Sequence, residues 1–301
     1  MKVGLDIINT SYTANPAAVA RKVEEVGFES LWFGEHPFIP VSYATRYPAT
    51  ADGKIPPFYH QMCDPFVSLG AAAAVTKKIK LATGVCLVPE RNPLFLAKEV
   101  ATLDHICGGR LIFGVGAGWL REETEILGVN FSRRHLRLTE CIQAMQEIWT
   151  KDEAEFHGKV IDFPPVRCEP KPVQKPYPPI HLGTRGENGL KRVARWADGW
   201  CPVCGRPSEE MRKEVKRLRA LAEEAGRDPD KIEISIFAVV TETSPVAEII
   251  KQWEDIGAHR VVLSLVADEA QSYAAYRFDK FAPDRVEDTL EWMAENSVAK
   301  L

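Results

Sequence analysis

Apolar strand patterns and amphipathic stretches alternate eight times along this chain, and few architectures accommodate so regular a rhythm. Strand patterns fall at 2–8 (KVGLDII), 29–35, 79–88, 110–116, 179–183, 198–203, 232–241 and 259–266. Helical patterns follow at 16–27, 64–76, 93–107, 133–150, 187–196, 208–226, 245–257 and 283–296. Pro16, Pro93 and Pro245 stand where a first helical turn tolerates them, and Gly27, Gly226 and Gly257 where helices stop. Eight such units, rich in Val, Ile and Leu without strict polar alternation, are what a closed parallel barrel requires; an open doubly wound sheet rarely needs so regular a repeat. The expected fold is therefore α/β, a single (β/α)8 barrel over residues 1–301, with insertions after strand two and before strand five.

Bulk properties remove several function classes. A net charge of −4 with no Lys/Arg block gives nucleic acid no footprint. The apolar runs are shorter than the ~18 residues a spanning helix needs, so no membrane partner and a cytoplasmic location are expected. Seven scattered cysteines are not a disulfide framework, and reduced thiols suit the cytosol. Cys201-Pro-Val-Cys204 lacks the second ligand pair that zinc wants and the helix N-terminus that a redox pair wants, so it reads as structural. No HExxH occurs, and no metal is expected. On oligomeric state the sequence is nearly silent; a homodimer is one expectation.

The stretch RLIFGVGAGWLREE (110–123) runs from a strand pattern through glycines into a helical one. It is not the dinucleotide fingerprint, because the sixth position of that motif is Trp119, and because the first βα turn of the chain has no glycine. Gly114, Gly116 and Gly118 instead remove side chains from one face of a strand end, where a planar ring can lie against the backbone.

In a barrel the loops leaving the strand C-termini carry function. The loop at 36–63, after strand two, therefore belongs at the active-site mouth, and Phe38, Tyr43, Phe58 and Tyr59 are expected to cover a flat apolar small-molecule substrate. The insertion at 151–179 enters from the other end, with hairpin-like alternation in FHGKVIDF. Strand two ends in Phe33-Gly34-Glu35-His36, and His36 is the only histidine passing from a strand into a mouth loop, placed to accept or donate a proton near neutral pH. Strand five ends in Gly183-Thr184-Arg185-Gly186 before a helix, whose backbone amides suit a phosphate.

The chain resembles the luciferase-like oxidoreductases, and within them the coenzyme F420-dependent branch. The resemblance rests on ESLWFGEH, on LATGVCLVPERNPLFLAKEVATLDHICGGRLIFGVGAGWLREE, and on PIHLG followed by LKRVARWADGW. It implies a barrel holding a flavin or 5-deazaflavin at its C-terminal face. It further implies a non-prolyl cis bond at Val85–Cys86 behind the ring, Glu35 and His36 flanking the reactive ring as catalytic residues, Ala117, Gly118 and Glu122 at its polar edge, and Gly183 to Gly186 at the phosphate. Ala117 stands where FMN-dependent luciferases of the family carry a phosphate-binding arginine, which leans toward F420 over FMN. Two rivals remain: an FMN-dependent monooxygenase of the same fold, and a flavin-binding protein without turnover.

Overall fold

The computed structural model describes residues 1–47, 50–268 and 274–301. Its centre is a closed, all-parallel barrel of eight staves. In chain order these are β1 (Lys2–Asp6), β2 (Ser30–Phe33), a third stave in two pieces, β3 (Lys80–Thr83) and β4 (Cys86–Leu87), then β5 (Leu111–Gly116), β8 (Ile180–Leu182), β9 (Gly199–Trp200), β10 (Glu233–Val240) and β11 (Arg260–Leu265). Each stave pairs with the next, β1 with β11, and β3 and β4 both with β5, which closes the ring.

Helices α1 (Pro16–Glu25), α2 (Pro65–Val75), α3 (Pro93–Ile106), α4 (Arg121–Ile126), α5 (Arg134–Thr150), α6 (Gly186–Trp196), α7 (Glu209–Glu224), α8 (Val246–Ile256) and α9 (Val286–Asn296) surround it. Their starts follow local chemistry. Asn15, Asp64, Asn92 and Ser208 accept from first-turn amides of α1, α2, α3 and α7, and a proline opens each of the first three. Gly257 stops α8 in the left-handed region at φ 107°. No described helix is long and apolar enough to cross a membrane.

Both faces of the staves are buried. Outward side chains meet the helices, while Trp32, Ala82, Ile112, Cys201, Phe237 and Val262 fill the barrel axis. Below them, at the N-terminal end, the fully buried Arg260 binds Glu29 (2.7 and 2.8 Å), Glu233 (3.0 Å) and Ser235 (2.8 Å). The insertion before β8 contains the hairpin its alternation suggests, β6 (Ala154–His157) with β7 (Asp162–Val166).

The third stave departs from the expected unbroken strand at 79–88. Ala82 pairs with Ile112 but Cys86 with Val115, so this stave carries one residue more than its neighbour, a β-bulge. Its cis peptide is Gly84–Val85, one bond earlier than Val85–Cys86, because Cys86 has already rejoined the ladder.

Candidate functional site

The bulge also corrects the reading of the glycines. A Cβ on Gly114 would lie 2.0 Å from the Thr83 carbonyl oxygen, and one on Gly116 2.7 Å from Val85 Cγ2. A Cβ on Gly183 would lie 3.0 Å from Val85 Cγ1. The glycines ending β5 and following β8 therefore make room for the bent third stave and for the Val85 side chain. The space a side chain would take at these glycines is already filled, and none of the three is in the cavity wall. What faces the barrel mouth is Gly84 and Val85 themselves, in the wall of an open cavity.

Glu35 holds the bulge in place. Its Oε1 accepts from the Leu87 amide at 2.5 Å, and Arg91 donates to Oε2 at 2.5 Å and to Oε1 at 3.3 Å. Arg91 also binds Asp64 (2.9 Å) and Glu99 (3.3 Å). Both Glu35 oxygens are thus engaged in tying the end of β2 to the end of the third stave. Cys86 is fully buried and absent from the cavity wall.

His36 lies in that wall, 6% exposed, and its ring is fixed on both sides. Nδ1 is 2.8 and 3.1 Å from the carboxylate oxygens of Glu123, which is fully buried. Trp119 Nε1–H donates to His36 Nε2 at 3.2 Å. An indole only donates and a carboxylate accepts, so this arrangement puts the proton on Nδ1 and a lone pair on Nε2. Next to Glu123, Glu90 accepts from the Thr124 hydroxyl at 2.7 Å, while its Oε2 is buried without a partner. Burial, and then the charge of Glu123, push the Glu90 carboxyl up to about 8.

Of the aromatic cover, Tyr59 reaches the cavity. Its ring stands edge-on to His36 at 5.1 Å, its hydroxyl pairs with that of Tyr47 at 2.8 Å, and it stacks on Phe58 at 4.7 Å. Phe58 packs on Phe278 behind it. Tyr43 is structural, its hydroxyl accepting from the Ile55 amide at 3.0 Å, and the half-buried Phe38 is not in the cavity wall.

The polar edge is rearranged. Ala117, Gly118 and Glu122 are outside the cavity wall. Glu122 Oε1 accepts from the amides of Ala44 (2.6 Å) and Thr45 (3.1 Å), pinning the 36–63 loop to α4. Gly118, at φ 77°, passes over Glu90, whose Oε1 would be 3.0 Å from a Cβ there. Neighbouring residues on a helix point about 100° apart, so Glu122 takes the loop and Glu123 takes His36. The residues 183–186 stand at the start of α6 as expected. No side chain caps that N-terminus, and Gly186, at φ 75°, has open space where a Cβ would be. Arg185 turns away to Glu210 (2.9 Å) and Glu214 (3.1 Å) on α7. Cys201 and Cys204 are structural: one thiol lies 3.4 Å from the His181 carbonyl, the other 3.4 Å from Met211 sulfur.

Sequence reasoning missed Asp6, Ile8, Met62 and Trp119 in the cavity wall, and Arg91 and Glu123 behind it. Asp6 and Ile8 leave the C-terminal end of β1, which itself was a signal that could have found them.

The profile of the luciferase-like monooxygenase family matches residues 7–296. An uncharacterized protein of Mycobacterium tuberculosis is 38% identical over 281 residues, which is 92% of this chain and 96% of that one. Two solved structures share the fold. The coenzyme F420-dependent tetrahydromethanopterin reductase of Methanopyrus kandleri superposes with a TM-score of 0.73 at 18% identity, covering 99% of each chain. The oxygenating component of 3,6-diketocamphane monooxygenase of Pseudomonas putida, in complex with FMN, does so at 0.74 and 17%, covering 100% of this chain and 98% of that one.

Proposed function

The chain belongs to the luciferase-like monooxygenase family, and from that premise we propose that it is a coenzyme F420-dependent oxidoreductase acting on a small alcohol or carbonyl compound. The observation that carries this reading is the imidazole of His36, held by Glu123 and Trp119 at the edge of a cavity. A bound 5-deazaflavin supplies a hydride carrier that does not activate oxygen. The chain's own residues would back the ring with Gly84 and Val85, and meet its phosphate with the uncapped amides of Gly183 to Gly186.

In the resting arrangement the lone pair of His36 Nε2 accepts from Trp119 Nε1–H, so a substrate hydroxyl takes the place of that N–H before His36 acts as the base that removes the alcohol proton. Glu123 then faces the positive imidazolium and stabilises it, as a buried carboxylate does behind a catalytic histidine. In the carbonyl-reducing direction the same nitrogen returns the proton. Glu35, with Arg91, keeps the third stave bent. Tyr59 and Trp119 form an aromatic cover on one side of the cavity.

Titration of the purified protein with F420 and with FMN, each followed by fluorescence, tests the cofactor. F420 is expected to bind at least about tenfold more tightly, a difference of about 1.4 kcal/mol. Tight FMN binding with oxygen consumption on reduction would replace this reading by that of a monooxygenase.

A further inference from the structure

One carboxyl group close to the site takes no part in the reaction above. Glu90 closes the short turn that follows the third stave and meets α4 at Thr124, the residue next to Glu123. The Thr124 hydroxyl is 2.7 Å from Glu90 Oε1 and 3.0 Å from the Leu120 carbonyl oxygen. A hydroxyl has a single proton and a carbonyl can only accept, so a charged Glu90 takes that proton away from Leu120. A protonated Glu90 ends the competition. The sense of the first bond reverses, the acid O–H donates to Thr124, and Thr124 donates back along its helix to Leu120.

The surroundings favour the same state. Glu90 Oε2 is buried without a hydrogen-bond partner, a position that costs a carboxylate far more than an acid. The charged groups facing Glu90 are Glu123 on α4, Glu35 at the end of β2 and the adjacent Arg91. Arg91 is shared among Glu35, Asp64 and Glu99. Two guanidinium groups of α5 nearby bind backbone instead, Arg137 the Pro89 carbonyl and Arg134 the Gly118 carbonyl. We propose that Glu90 is a positioning residue held as a neutral acid, which leaves Glu123 as the one negative charge directly behind His36. When Glu90 ionises, a second negative charge arrives beside Glu123 and adds to the attraction on the imidazolium, which then holds its proton more firmly. That consequence rests on the reading of His36 as the base; the protonation of Glu90 does not.

Infrared difference spectra of the full-length protein without added cofactor, taken as the pH is raised through about 8, test the protonation. Nitrogen-15 NMR of the histidine side chains in the same samples tests the coupling, with His36 assigned by its loss in His36→Asn. The wild type is expected to show the carbonyl band of a protonated carboxylic acid at neutral pH, fading with a midpoint at about 8, and a step in the His36 nitrogen shifts at the same midpoint. Glu90→Gln keeps the size of the side chain and a donor for Thr124 but cannot ionise, and is expected to lack both signals. A wild type without the band overturns the proposal, a result that needs no variant to fold. So does a band or a His36 step that persists in Glu90→Gln. Because no cofactor is added, a failed F420 assignment leaves these spectra as they are and shows only in the separate cofactor titration.

Discussion

In the proposed reaction His36 is the base, and its neighbours say how it would act. Replacing it with alanine removes the base but touches nothing that backs a ring, so turnover should fall about 10²- to 10⁴-fold while F420 affinity changes little. A loss under tenfold in a stopped-flow assay would take His36 out of the reaction. Glu123→Gln keeps a hydrogen-bonding partner for Nδ1 but removes the charge that stabilises the imidazolium. Turnover should fall by about tenfold or more with KM nearly unchanged, the split that a positioning role demands. His36 was legible in the sequence because it leaves a strand at the functional end of a barrel. Its partner was not. Glu122 and Glu123 are adjacent acids at a helix start, and only the helix phase, set by packing, decides which one faces inward.

At the scale of elements, the third stave does most to shape the site. One extra residue bends it, Val85 enters the mouth, and glycines opposite make space for the bend. The two glycines of β5 should therefore fail differently. At Gly114 a methyl meets the Thr83 carbonyl, backbone that cannot step aside, so Gly114→Ala should cost about 1–3 kcal/mol or more in urea unfolding. At Gly116 it meets the Val85 isopropyl group. Gly116→Ala should push Val85 into the cavity and weaken F420 binding about tenfold, with a smaller loss of stability. Equal effects on both readouts would contradict this division. The unusual glycine pattern was visible in GVGAG, but what it accommodates was not, since a bulge on one stave leaves its trace in the sequence of the next.

Across the whole molecule, the mouth and the base of the barrel do different work. At the base, Arg260 is enclosed with Glu29 and Glu233. Removing it leaves the half-buried Glu29 without its cation and Glu233 with Lys2 alone, and Arg260→Met should cost about 1–3 kcal/mol in chemical denaturation without altering cofactor affinity per folded molecule. Acid should attack the same place. Burial lowers the His181 imidazole to about 4; burial raises Glu233, but Arg260 and Lys2 outweigh it and hold that carboxyl at about 2. Both folded values lie below the ordinary ones, so both contribute stability at neutral pH. His181's share is lost as pH falls from its ordinary value near 6.5 to about 4, and Glu233's as pH falls from near 4.5 to about 2. Unfolding midpoints measured from pH 7 to 3 should decline throughout, and a flat profile would count against the network.

The barrel itself was readable from the eightfold rhythm, because each βα unit must bury both strand faces and one helix face locally. The cavity was not, because its wall is assembled from the ends of staves far apart in sequence: Asp6, His36, Val85 and Trp119 meet only once the ring has closed.

The crystal structure of the protein with F420 tests the account most directly. The account places the tricyclic ring over the Gly84–Val85 bulge beside His36, with the phosphate at the start of α6. A ring bound away from that bulge, or a cavity that stays empty while F420 sits elsewhere, would contradict it.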